Sequence, residues 1–190
     1  MRGNNYNPIL VTGGNTGTAT LMGIPGVGPG IFNGTITLDH HDLEVNTAAL
    51  AGSVVGTGDV YFTDLAYSDT AHFDHVGAII HRTPGSRTTY RDLRGSIGAT
   101  VTQLVQDSPG VKLRLGGDNR DFAGLVSVVS GTLETSSANA LKNAQVVVAV
   151  NEDANFHVNQ HNTIGGLVDG KDGGGTVSGG GYTLTLDGSG

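Results

Sequence analysis

Glycine constrains this chain more than any other feature, at 32 of 190 residues. A glycine inside a helix costs about 1 kcal/mol relative to alanine, so a chain this rich in it cannot be built mainly from helices. Its companions agree. There are 21 Thr, 20 Val and 13 Asn, against 3 Lys and 3 Glu. Thr and Val are β-branched and suit a pleated, half-buried surface, whereas Lys and Glu are the usual exposed helix formers. Gly and Asn supply tight turns. Strands joined by many turns follow, and a helical bundle is excluded.

The hydrophobic pattern locates the strands. Val111, Leu113 and Leu115 alternate with Lys112 and Arg114, and Tyr182, Leu184 and Leu186 alternate with threonines. Strict alternation marks a strand with one wet face. The runs Leu125 to Val129 and Gln145 to Val150 are more continuously apolar and suit interior strands. Leu93, Ile97, Val101 and Val105 share parity, so residues 90–106 are expected to be strand. In Ile31 to Leu38, Asn33-Gly34 predicts a hairpin with a type I′ turn. Two helices are also expected. Ser68 to Arg82 has Phe73, Val76 and Ile80 on one face and ends at Thr83-Pro84-Gly85, and Ser137 to Ala144 spaces Ala138, Leu141 and Ala144 for burial.

The expected fold is therefore mainly β: an antiparallel β-sandwich or barrel-like domain with one or two short helices. Residues 1–30, rich in Gly and Pro, are expected to form an extended arm that orders on a neighbour. Residues 31–190 form a single β-rich domain with a flexible Gly-rich loop near 169–181. No fixed-period repeat is visible, which argues against a solenoid or propeller.

Composition also narrows function. With no Cys there is no disulfide framework and no thiolate site. A net charge of −7 speaks against nucleic-acid binding. No apolar run approaches the ~18 residues of a membrane span, and the first residues lack the apolar core of a signal peptide. No direct nucleic-acid or membrane partner is expected. Ile9 to Gly17 resembles the opening of short-chain dehydrogenases. The site needs a helix directly after its glycines, and Thr18 to Pro25 cannot supply one, so no cofactor is expected. Asp169-Gly170-Lys171-Asp172-Gly173 has the flavour of a calcium loop but lacks its closing bidentate Glu. His40 with Asp42, and His72 with His75, are the candidate ligands should a divalent metal bind. His157 and His161 would share a face only on a helix, which Asn155 to Asn159 does not resemble. Nothing forms a hydrolytic constellation, and no enzyme activity is expected.

Arg82, Arg87, Arg91 and Arg94 place four of the seven arginines within thirteen residues, beside Tyr90. Arg and Tyr are enriched in protein interfaces, so these five residues are the candidate docking patch. A cysteine-free, Lys-poor, Gly/Thr/Val/Asn-rich β chain of this kind resembles the virion structural proteins of tailed bacteriophages. The resemblance implies a capsid decoration, or cement, protein. Such a protein sits on the capsid surface as a homo-oligomer, with a trimer favoured, and braces the major capsid protein. The alternatives are a tail-tube or other tail subunit and, from another class, a metal- or carbohydrate-binding β domain.

Overall fold

Every strand pairing among the described residues is parallel. The structure is a computed structural model that describes residues 4–12, 18–23, 30–63, 68–83, 90–148, 153–170 and 174–188. The chain winds as a β-solenoid whose turns run along three faces, with strands on the second face only in the earlier and last turns. The first face stacks Asn4–Asn5, Gly30–Phe32, Ala48–Leu50, Ser68–Asp69, Tyr90–Leu93, residues 112–115 and 132–135, Asn155–Val158 and Thr176–Gly179. The second carries Ile9–Val11, Ile36–Leu38, Ser53–Gly56 and His72–Asp74, and later Asn162–Ile164 and Leu184–Leu186. The third stacks Ala19–Met22, Leu43–Asn46, Val60–Phe62, Ala78–His81, residues 103–106 and 125–128, Gln145–Val148 and Gly166–Asp169. Two long strands, Gln103–Leu115 and Leu125–Thr135, turn a corner and serve two faces, with register shifts at Asp107.

This overturns the expected antiparallel sandwich or barrel. Among the described residues there is also no helix. Ser68 to Arg82 is three short strands, and Ser137 to Ala144 is a series of turns. The helical spacing in the first segment comes from a strand, a corner and a strand. Phe73 and Ile79 point inward from different faces, and Val76 fills the corner between them. The expected hairpin at Asn33-Gly34 is a corner too, where the chain passes from the first face to the second without reversing. A Cβ on Gly34 would overlap the Asn7 carbonyl, and one on Gly52 would overlap the Gly34 carbonyl. Corners of successive turns are thus stacked backbone on backbone, which only glycine permits.

The solenoid contradicts the expectation drawn from the lack of a visible period. The register shows why the period is hidden. Leu43 pairs with Val60 after 17 residues, whereas Asn4 pairs with Ile31 after 27. Insertions at the corners change turn length without disturbing the strands. The described parts of residues 1–30 form the first turn, with Ile9, Val11, Ala19 and Leu21 packed on the core.

Residues 90–106 are strand only in part. Tyr90–Leu93 ends, Ile97 makes a single bridge to Phe73, and the next strand begins at Gln103. From there Leu104 and Gln106 face inward and Val105 does not. On the second face, side chains take over from strands. The Ile97 amide donates to Asn119 Oδ1 at 2.7 Å, and Asn162 Nδ2 donates to the Ser137 carbonyl at 2.8 Å.

Inward side chains align in columns through the core. Leu43, Val60, Ile79, Leu104, Val126 and Val146 form one. Its neighbour runs Val45, Phe62, His81, Gln106, Val128 and Val148, so two polar groups interrupt an apolar stack. They satisfy each other, as buried polar groups must. Gln106 Nε2 donates to the Val111 carbonyl, which turns Oε1 toward His81 Nδ1 at 2.6 Å. The imidazole proton therefore sits on Nδ1, and Nε2 faces Thr83 Oγ1 at 3.1 Å.

Candidate functional site

On the first face, outward side chains stack in register as well. Asp92 lies beside Arg114, Arg114 beside Glu134, Glu134 beside His157, and His157 beside Ser178. The parallel ladder forces this, because paired strands present matching parity at about 4.8 Å intervals. A charged ribbon results. Asp92 takes Arg94 at 2.9 Å and Arg114 at 3.9 Å. Glu134 takes Lys112 at 2.5 Å and Arg114 Nε at 3.1 Å, the latter without hydrogen-bond alignment. Further along, His157 Nδ1 meets Ser178 Oγ at 2.9 Å, and Ser178 donates to Asn155 Oδ1 at 2.8 Å.

The ribbon opens into a groove of about 430 Å³ lined by Asp92, Arg94, Arg114 and Glu134 together with Gly116, Ser136 and Asn159. The Asp92 and Glu134 side chains are only 8% and 4% exposed, whereas that of Arg94 is 62% exposed. The carboxylates are thus fixed by their cations, and the guanidinium of Arg94, paired with Asp92 on one side, is otherwise open to solvent. Tyr90 stands on the same face, 47% exposed, with the Arg114 guanidinium 3.9 Å from its ring centre. Such stacking holds both groups in place. In a chain of net charge −7, the groove sets two arginines beside two carboxylates, and Lys112 pairs with Glu134 behind them.

The sequence-derived patch is divided by the fold. Arg94 lines the groove, and Tyr90 reaches it only through Arg114, which stacks on its ring. Arg91 faces the opposite way and is fully buried, with Nε 2.7 Å from Asp69 Oδ2 and its guanidinium 4.0 Å from the centre of the Phe62 ring. It ties the core and offers nothing to a partner. Arg82 lies on the third face's corner, paired with Asp107 at 2.9 Å. Arg87 lies outside the described residues. Sequence reasoning missed Lys112, Arg114 and Glu134. Their signal was the polar parity opposite Leu113 and Leu133, which counts only once the strands are known to lie side by side.

The metal candidates do not converge. His40 is in a corner at φ 58° with Nδ1 on Thr57 Oγ1, and Asp42 accepts the Asp59 amide. His72 Nδ1 meets Ser96 Oγ at 2.7 Å, and His75 occupies another corner at φ 59°. Among the described residues, no three His, Asp or Glu side chains are grouped to hold a metal ion. His157 lies on a strand, as its surroundings suggested, and His161 packs edge-on against Tyr182. In the dehydrogenase-like segment, Ile9–Val11 is a strand and residues 13–17 lie outside the described residues. No family model matches the chain, and no curated protein or solved structure is detectably similar to it.

Proposed function

We propose that the protein is a structural subunit that assembles with copies of itself through the two ends of its solenoid. The observation that carries this is where its exposed apolar side chains lie. Nine large hydrophobic residues are exposed among the described residues, and eight belong to the end turns: Tyr6, Leu10 and Met22 at one end, Leu167, Val168, Val177, Tyr182 and Leu186 at the other.

The backbone supports the same reading. Ile9–Val11 and Ala19–Met22 pair on one side only among the described residues, as do Gly166–Asp169, Thr176–Gly179 and Leu184–Leu186. Unpaired edges are templates for another strand, and a repeat protein needs its end turns covered. One end of a parallel solenoid is the natural continuation of the other, because each turn already stacks on the last by that operation. Head-to-tail contact of this kind is heterologous and propagates. A cement protein on a tailed-bacteriophage capsid, the setting that composition suggested, is one use of such a subunit, and we extend the proposal to it.

Sedimentation of the full chain over a concentration series tests the assembly. We expect mass to grow with concentration, and Leu10→Lys or Leu186→Lys to abolish that growth with the circular dichroism unchanged. A concentration-independent monomer would refute end contact, and a concentration-independent trimer would favour the closed oligomer that the resemblance to phage virion proteins implies.

A further inference from the structure

We propose that the groove on the first face binds an extended, uncharged glycan. This site is separate from the solenoid ends and does not depend on self-assembly. The groups around the groove are planar and already fixed in position. Asp92 and Glu134 are each more than nine-tenths buried at the side chain and held by Arg94, Arg114 and Lys112. A carboxylate or guanidinium offers two polar atoms side by side, which suits two neighbouring hydroxyls on a sugar ring. Asn159 and Ser136 add an amide and a hydroxyl at the same opening. Fixing such groups in advance removes much of the ordering cost of binding.

Charge points to an uncharged ligand. The cations are largely neutralised by carboxylates only 2.5–3.9 Å away. A phosphate or an acidic chain would have to displace Asp92 or Glu134, each of which is held against its cations. A polyhydroxyl ligand instead uses both signs at once. Tyr90 is the one exposed large hydrophobic away from the end turns among the described residues. Arg114 stacks on its ring at 3.9 Å, so the ring's remaining exposed surface stands next to the groove's polar groups, an arrangement that suits the C–H face of a sugar at the groove's margin.

Spacing points to a chain rather than a single sugar. The ribbon places one polar group per turn from Asp92 through Arg114, Glu134 and His157 to Ser178. The interval of about 4.8 Å is close to the length one pyranose adds to an extended polysaccharide. A peptide strand advances by about 3.4 Å per residue and would fall out of step with the ladder.

Calorimetry with cellohexaose, mannohexaose and xylohexaose, and with polyglutamate as the acidic comparison, tests this. We expect at least one neutral hexasaccharide to bind. Gly116 has no positive φ, and a Cβ there would sit 3.3 Å from Ser136 Oγ and 3.5 Å from Arg94 Cγ. Gly116→Leu should therefore fill the groove and weaken binding at least tenfold with the melting temperature preserved. Asn159→Ala, at a half-buried position where Nδ2 reaches Glu134 Oε1 at only 3.5 Å, should weaken it several-fold, so the test survives if the leucine variant folds poorly. Leu186→Lys should bind like the wild type. Binding of polyglutamate alone, no binding of any hexasaccharide, or binding indifferent to both groove variants would overturn the proposal.

Discussion

Acid should unfold this protein through one imidazole, because His81 is closed inside the solenoid. Burial, with the nearby positive charge of Arg91, holds its pKa down at about 4 against an ordinary 6.5, even though the Gln106 hydrogen bond works the other way. In the unfolded chain the same ring titrates near 6.5. Between these values the unfolded chain binds the proton and the folded chain does not, so stability falls as pH drops from about 6.5 to about 4 and levels off below. A separation of that size corresponds to roughly 3 kcal/mol, a large share of the ~5–15 kcal/mol that holds a domain folded. Urea unfolding followed by circular dichroism at pH 7, 6, 5 and 4 measures it. His81→Asn is the partner experiment. It keeps a donor toward Gln106 and loses the contact with Thr83, so it should cost about 2 kcal/mol at pH 7. It should also lose the slope between pH 6.5 and 4. Asp74 and Asp118, whose pKa values are lowered by hydrogen bonds from Thr100 and Arg120 respectively, contribute equally to both proteins and cancel in the difference. If the two proteins lose stability in parallel over this range, the assignment to His81 is wrong.

Three further outcomes follow from the core. Arg91→Met strands the buried carboxylate of Asp69, which also accepts the Leu50 amide. It should cost about 3–5 kcal/mol in denaturant unfolding, and Asp69→Asn on the same background should recover part of it. Gly117→Ala puts a Cβ well under 3.0 Å from the Gly95 carbonyl at a corner. Urea unfolding should show a loss of about 3 kcal/mol or more, the upper end of overpacking costs, whereas Gly110→Ala, with nothing within 4 Å of its Cβ, should lose far less despite its positive φ. Phe62→Ala removes a fully buried ring that packs edge-on against Phe73 and under Arg91. The expected cost is about 3–5 kcal/mol, and a loss below 1 kcal/mol would mean the core closes over the gap.

Much was legible in the residues themselves. The preponderance of Gly, Thr and Val required strands and corners. Alternation placed Val111, Leu113 and Leu115 inward and Lys112 and Arg114 outward, as they are. The continuously apolar runs Leu125 to Val129 and Gln145 to Val150 read as interior strands, and the strands found there bury Val126, Val128, Val146 and Val148. These are local properties, since the period of a strand depends only on the direction its own side chains take. What lies beside each strand is not local. Alternation is the same in a hairpin and in a parallel ladder, so Asn33-Gly34 served equally for a reversal or a corner. Turns of 17 to 27 residues hid the repeat that would have decided between them. Only the packed structure brought Asp92, Arg114 and Glu134 together across three turns, and only it sent Arg91 inward while Tyr90 stayed outside. Neighbours far apart in the chain are chosen by the register in which the turns stack. That register is set by how corner backbones and core columns fit against one another, which no single segment contains.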